Sequence, residues 1–158
     1  KEGVQPEEYK AHQMAYEMLA ARGTMEDPLL AFVRVPALVS FDQNNNTLCM
    51  QKVPGTGLVG SGVMNLSDWY GEDASCVEAK EYALARAAVK RLAQGGLLYH
   101  DITGYNFIRQ PVGDKIILWM VDFEHATVMR TPGVIDDEFV QEFVEGSQVN
   151  QQWNPDYK

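Results

Sequence analysis

An α+β fold is predicted for this chain of 158 residues. Residues 75–94 repeat apolar side chains at helical spacing, two pairs of short β-prone runs are each joined by a polar turn, and a second helical stretch opens the chain. The elements follow in order. Pro6 with Glu7 and Glu8 starts a helix over residues 7–21, with proline in the first turn and acids at the positive end of the helix dipole. Its mostly apolar face is Tyr9, Gln13, Met14, Tyr16, Leu19 and Ala20, and Gly23 ends it. Strands over residues 37–41 and 47–53 flank the turn Asp42-Gln-Asn-Asn-Asn46 and make a hairpin. Pro54-Gly-Thr-Gly57 breaks the second strand, and a glycine-rich loop continues to Gly62. Residues 65–73, with Trp69 and Tyr70, form a short helix or turn. The helix over residues 75–94 turns Val77, Leu84, Ala88 and Leu92 inward, carries Lys90 and Arg91 near its end, and is closed by Gly95-Gly96. Strands over residues 107–110 and 115–123 surround Pro111-Val-Gly-Asp114. The run Ile116-Ile-Leu-Trp-Met-Val121 is apolar throughout, as a strand covered on both faces should be. A helix over residues 136–145 precedes a polar tail with Trp153 and Tyr157.

Composition narrows the function classes. A hydrophobic content of 46% and a charged content of 22% are those of an ordinary globular protein long enough to bury a core. The net charge of −9 argues against binding a nucleic-acid backbone or an anionic membrane surface. No apolar run reaches the roughly eighteen residues of a transmembrane helix. The first residues lack signal-peptide and transit patterns, and a start at Lys1 rather than Met fits a trimmed chain. The two cysteines, Cys49 and Cys76, have no metal-type spacing and form no disulfide framework. A buried Cys49 thiol and a reducing intracellular compartment are expected. Glycosylation sequons at Asn45 and Asn65 are compatible with secretion, but so short a pattern also arises by chance.

The chemistry-bearing stretch has two parts, Gly96-Leu-Leu-Tyr-His-Asp-Ile-Thr-Gly-Tyr-Asn-Phe-Ile108 and Val121-Asp-Phe-Glu124. A helix and a glycine pair deliver Asp101, with Asn106 on the same short loop. One hairpin later, an apolar strand delivers Asp122. Phosphoryl transfer from a nucleotide needs metal ions held against the phosphates and a carboxylate to orient the acceptor hydroxyl and take its proton. An Asp and an Asn on one loop, met by a second Asp from a paired strand, supply the hard oxygen ligands that Mg²⁺ takes.

In these residues the chain resembles the protein-kinase-like superfamily in its broad sense, which includes aminoglycoside phosphotransferases. Tyr99-His100-Asp101 stands at the family's His-Arg-Asp or His-Gly-Asp position, Asp101 to Asn106 keeps its spacing, and Asp122-Phe123-Glu124 stands for Asp-Phe-Gly. Leu48-Cys-Met-Gln-Lys-Val-Pro-Gly55 is similar to the family's hinge strand. The form Asp-Phe-Glu-His-Ala126 is similar to that of small kinase-like proteins of filamentous fungi. The resemblance spans residues 7–130. It implies a reduced small lobe over residues 1–54 and a minimal helical C-lobe over residues 55–158, with a catalytic-loop hairpin. It further implies Asp101 as catalytic base, Asn106 and Asp122 as metal ligands, Gln51, Lys52 and Val53 as the adenine-facing hinge, and ATP with Mg²⁺ as cofactors. The acceptor would be a small molecule or a protein.

The pattern also departs from the family. No glycine-rich loop precedes the first helix. Gly55-Thr-Gly57-Leu-Val-Gly60 follows the hinge and is expected to be a flexible linker. Lys1 is the sole candidate for the phosphate-pairing lysine. Alignment puts His12 where its glutamate partner belongs, with Glu8 and Glu17 about a turn away. Glu124 is a candidate additional metal ligand, His100 a candidate acceptor or phosphate contact, and His125 a structural residue. Past Arg130 the chain lacks the Ala-Pro-Glu motif and peptide-binding helices. These departures favour a pseudokinase-type binding module as the alternative function. They also leave room for a protein partner, or an upstream segment, that adds strands to the edge of the 37–53 hairpin.

Overall fold

The computed structural model describes residues 1–20, 27–71, 77–129 and 135–156. Gly23, Cys76, Arg130 and Tyr157, and the expected helix start at Ser75, lie outside the described residues. The fold is α+β. Helix α1 (Pro6–Ala20) begins at the proline, with Glu7 and Glu8 in its first turn. A 3-10 turn (Pro28–Phe32), capped by the Asp27 carboxylate on the Leu29 amide, leads into strand β1 (Val33–Arg34). Strands β2 (Leu38–Asp42) and β3 (Thr47–Met50) form the expected hairpin. Asp42 Oδ1 accepts from the amides of Asn44 and Asn45 and so fixes its turn.

Strand β4 (Met64–Asn65) runs into α2 (Leu66–Tyr70), whose first turn is capped by Asn65 on the Asp68 amide. Helix α3 (Ala79–Gln94) is followed by β5 (Leu97–Leu98), β6 (Phe107–Val112), β7 (Lys115–Met120) and β8 (Thr127–Val128). Helices α4 (Asp137–Glu145) and α5 (Gln148–Gln151) complete the described elements. The principal sheet has the order β1-β7-β6-β4, with β1 parallel to β7 and the other pairs antiparallel. Strand β7 is therefore central, and Ile116, Leu118, Trp119 and Met120 are buried along its two faces, which explains its apolar run. β5 and β8 form a separate antiparallel pair.

One core binds α1, α3, β7, α4 and α5, with Leu19, Leu92, Leu118, Met120, Phe123 and Trp153 among its buried members. Several expectations are corrected by this packing. The buried stripe of α1 is Glu8, Ala11, His12, Ala15 and Leu19, so of the predicted face only Leu19 is fully buried, with Met14 partly buried against the core. Helix α3 starts at Ala79, and Val77 is buried in extended chain ahead of it. The strand ends shorten to Met50 and Met120. Trp153, expected in a polar tail, is buried and packs edge-on against Phe107. Cys49 is exposed rather than buried, because successive residues of a strand face opposite ways and Leu48 takes the inner face.

Residues 1–4 run alongside β3, with a bend at Gly3 where φ is +72°. The Lys1 backbone nitrogen donates to Leu48 O at 2.6 Å, Leu48 N donates to Lys1 O at 2.7 Å, and Val4 N donates to Asn46 O at 2.8 Å. Of the two edges of the β2–β3 hairpin, that of β3 is thus covered by the chain's own first residues. That pairing brings the Lys1 side chain over the start of α1.

Candidate functional site

The turn after β5 carries Asp101. Residues 104–106 close it as one turn of 3-10 helix, and the Asn106 side chain folds back across it. Asn106 Nδ2 donates to the Asp101 backbone oxygen at 2.9 Å and to Asp101 Oδ2 at 3.0 Å. With its nitrogen so used, the amide oxygen of Asn106 is the atom left to act as a ligand. A Cβ on Gly104 would lie 2.3 Å from Ser67 Oγ and 2.8 Å from Ser67 N, so only glycine lets this turn sit against the start of α2.

The second carboxylate arrives from the other side of the β6–β7 hairpin. Phe107 pairs with Met120, and Val121 N donates to Asn106 O at 2.9 Å, so the strands deliver Asn106 and Asp122 side by side. Asp122 has φ of +63°, a left-handed conformation that a residue with a Cβ adopts at a cost. Its Oδ1 accepts from Glu124 N at 3.2 Å and from Lys1 Nζ at 3.2 Å. The same ammonium contacts Glu8 Oε2 at 2.7 Å. Glu8, not His12, is therefore the carboxylate that meets Lys1.

Tyr99 ties these groups together. Its hydroxyl donates to Val121 O at 2.6 Å. Burial, and then the negative charges of Asp122 and Asp101, push the phenol well above its usual range, with the Asn106 side chain pulling the other way. All three residues singled out in the sequence thus act on one tyrosine hydroxyl. For Lys1, burial lowers the ammonium, but the hydrogen bond to Glu8 and the charges of Asp122 and Glu8 outweigh it and raise its pKa. Two carboxylates, those of Glu8 and Asp122, share the Lys1 ammonium, so the trio keeps negative charge in excess, of the kind a divalent cation neutralises.

Beneath the cluster, rings form a continuous column. Trp153 meets Phe107 at 5.2 Å, Phe107 meets Tyr99 at 5.9 Å, Tyr99 meets Phe123 at 5.3 Å, and Phe123 meets the His12 imidazole at 5.0 Å. His12 Nε2 bonds to Pro36 O at 2.8 Å, and burial lowers its pKa. The column joins α1 and the chain's C-terminal helices to the hairpin that aims Asp122.

Other predicted site residues stand apart. Gln51 Oε1 accepts from Ala37 N at 3.2 Å, and its side chain lines a separate cavity of about 330 Å³ with Tyr16, Leu19, Val35 and Trp119. Lys52 is exposed, and Val53 is buried with its carbonyl taken by Thr56. His100 turns toward Thr127 Oγ1 at 3.1 Å and packs on Phe143, away from the cluster. The Glu124 carboxylate lies 4.0 Å from His125 Nε2, and both side chains are largely exposed. The expected structural role for His125 finds no packing to support it.

The glycine-rich segment is not an open linker but a chain of turns. Leu58 N bonds to Gly55 O, Ser61 N to Leu58 O, and Ser61 Oγ to both carbonyls. Among the described residues, no group of three or more His, Cys, Asp or Glu side chains is arranged to hold a metal. Two carboxylates with an amide oxygen are a different set, one that suits Mg²⁺, which keeps its waters and takes further ligands from phosphates.

Reasoning from the sequence missed Glu8 as the lysine's partner and Tyr99 as the common neighbour. Spacing carries a signal for the first, since Glu8 shares the stripe of Ala11, His12 and Ala15. No protein-family model matches the chain, and no curated protein matches it in sequence. None of the described helices is long and apolar enough to cross a membrane.

Proposed function

We propose that this protein is an ATP- and Mg²⁺-dependent phosphotransferase of the protein-kinase-like superfamily, with a reduced small lobe and a minimal helical C-lobe. The observation that carries the reading is the Lys1 ammonium shared by Glu8 and Asp122, beside an Asp101–Asn106 turn closed on itself. A lysine fixed between a helix glutamate and a metal-binding aspartate is poised to pair with nucleotide phosphates. Asn106 Oδ1 and the Asp122 carboxylate would hold Mg²⁺, which neutralises charge on the transferring phosphoryl group.

The chain's own groups then have distinct tasks. Asp101, oriented by Asn106, accepts the hydrogen bond of an acceptor hydroxyl and takes its proton. The hydroxyl oxygen forms the new bond to the terminal phosphorus of ATP. The bond from that phosphorus to its bridging oxygen breaks, and ADP leaves with the electron pair. Lys1 stays with the phosphates, and Glu8 holds Lys1.

Calorimetric titration of Mg²⁺–ATP, with Asp122→Asn as the control, tests the reading. Binding is expected for the natural chain and a large loss for the variant. Nucleotide at about 100 times its dissociation constant should stabilise the fold by about 2.7 kcal/mol. Asp101→Ala should retain binding but lower turnover about 10²- to 10⁴-fold. A heat-silent titration without thermal shift would sink the reading and favour a pseudokinase-type binding module.

A further inference from the structure

The acceptor is the unassigned half of this chemistry, and a groove beside the catalytic turn bears on it. Its volume is about 400 Å³, within the range of small-molecule sites. Leu58, Val59, Val63, Met64, Tyr105 and Ile108 supply its apolar walls, and Thr56, Asn65 and Asp68 its polar positions. Tyr105 immediately precedes Asn106 in the turn that closes on Asp101, and Ile108 lies in β6 just beyond it. The groove therefore shares a wall with the Asp101–Asn106 turn.

Three features define what would fit. First, among the described residues the lining carries no cationic side chain, so none of them pairs with phosphates or a carboxylate ligand. Its single acid, Asp68, is already bonded through Oδ2 to the Asn65 amide at 2.9 Å. Second, large apolar groups are held out in water. Leu58 is 67% exposed, Val59 fully exposed and Tyr105 52% exposed. Third, this display is built rather than loose. The single Ser61 Oγ proton is shared between the carbonyls of Gly55 and Leu58 at 3.0 and 2.9 Å, and Val63 N donates to the same oxygen at 3.2 Å, which braces the loop that carries Leu58 and Val59. The Gly57 and Gly60 positive φ values turn that loop with nothing near either Cβ position, so its tip borders open space.

We infer that this groove binds the acceptor, and that the acceptor is an uncharged alcohol with an aryl or medium-length alkyl body. The apolar body would cover Leu58, Val59 and Met64, which gives back the free energy of their exposure. Its hydroxyl would extend past Tyr105 toward Asp101. Transfer is balanced as above: the alcohol oxygen bonds to the terminal phosphorus of ATP, its proton passes to Asp101, and ADP departs. The inference rests on the phosphotransferase reading.

The test uses the whole chain and two named probes, 2-phenylethanol and 1-octanol, with ethanolamine as a cationic control. Methyl chemical shifts of Leu58, Val59, Val63, Met64 and Ile108 report binding, and phosphorus NMR reports the phosphate ester and ADP. Saturable shifts with either alcohol, none with ethanolamine, and ester formation with Mg²⁺–ATP are expected. Val59→Asp, at a fully exposed position, should raise the half-saturating alcohol concentration about tenfold, with Mg²⁺–ATP heats unchanged. Absence of methyl shifts with both alcohols overturns the inference while the Mg²⁺–ATP heats still uphold the phosphotransferase reading. Alcohol shifts without Mg²⁺–ATP heats overturn both, leaving an apolar-ligand groove. Groove shifts produced by Mg²⁺–ATP alone assign the groove to the nucleotide and overturn the inference.

Discussion

Two charged clusters flank the β6–β7 hairpin, and they are built to opposite rules. At its mouth, Lys1, Glu8 and Asp122 meet at 2.7 and 3.2 Å, with the Lys1 and Asp122 side chains about one third exposed. Behind it, Arg109 Nε lies 3.7 Å from Glu81 Oε1, with the two side chains 10% and 0% exposed. Tyr70 donates to the same Glu81 oxygen at 3.0 Å, Arg109 Nη1 reaches Gly62 O at 3.1 Å, and the guanidinium lies 3.9 Å over the Trp69 ring. Glu81 Oε2 and Arg109 Nε have no hydrogen-bond partner among the described residues. The open cluster has two of its three side chains partly in water. The buried one is incompletely bonded, and its contacts tie α2, α3 and the glycine-rich loop to β6. Charge is therefore open to solvent at the mouth and locked into packing behind.

The sharpest way to break this contrast is at the buried pair. Arg109→Met leaves the Glu81 charge buried without its partner and should cost about 3–5 kcal/mol in urea unfolding. Adding Glu81→Leu should return most of that loss. A single variant as stable as the natural chain would erase the distinction.

A smaller effect is expected at His12, which lies under the mouth. Burial lowers its pKa below the ordinary 6.5, so the folded state binds its proton less readily than the unfolded chain. Its contribution is complete above pH 6.5 and declines as the pH falls from there through the folded-state value. Unfolding at pH 7.5 and 5.5 should show a steeper acid loss in the natural chain than in His12→Gln. Equal slopes would separate the imidazole from the column it caps.

The smallest stability effect belongs to the open cluster. Glu8→Gln should change unfolding free energy by less than about 1 kcal/mol, since Lys1 is partly in water. Its pKa is raised, so the pair's contribution is present below pH 10.5 and is lost as the pH climbs through the higher folded value. Calorimetry on Glu8→Gln should nonetheless show weakened Mg²⁺–ATP binding. A large stability loss with nucleotide affinity intact would make the mouth structural after all.

Much of this arrangement was legible in the residues. Pro6 with its acids marked the start of α1, the asparagine-rich turn marked the β2–β3 hairpin, and Asp101, Asn106 and Asp122 could be singled out by spacing. What escaped had physical reasons. The buried stripe of α1 consists of alanines interleaved with Glu8 and His12, so the larger Tyr9 and Tyr16 drew the apolar face to the wrong side. Glu81 carried no signal in the sequence, because its cation and phenol partners lie on β6 and α2 rather than on its own helix. β1 is two residues long and pairs in parallel with β7, a contact no local pattern encodes. Trp153 was hidden in a polar segment, where one large ring is enough to anchor α5 against Phe107.

Asp122 holds its left-handed backbone without the freedom of glycine. A glycine there would relax that torsion by about 1 kcal/mol while deleting the carboxylate that Lys1 grips. Selection for thermal robustness alone would therefore drift toward a sturdier, blunter protein at this position. Persistence of aspartate in thermally selected libraries would mark the residue as kept for its fit, whereas its replacement there by glycine would mark it as held for something other than stability.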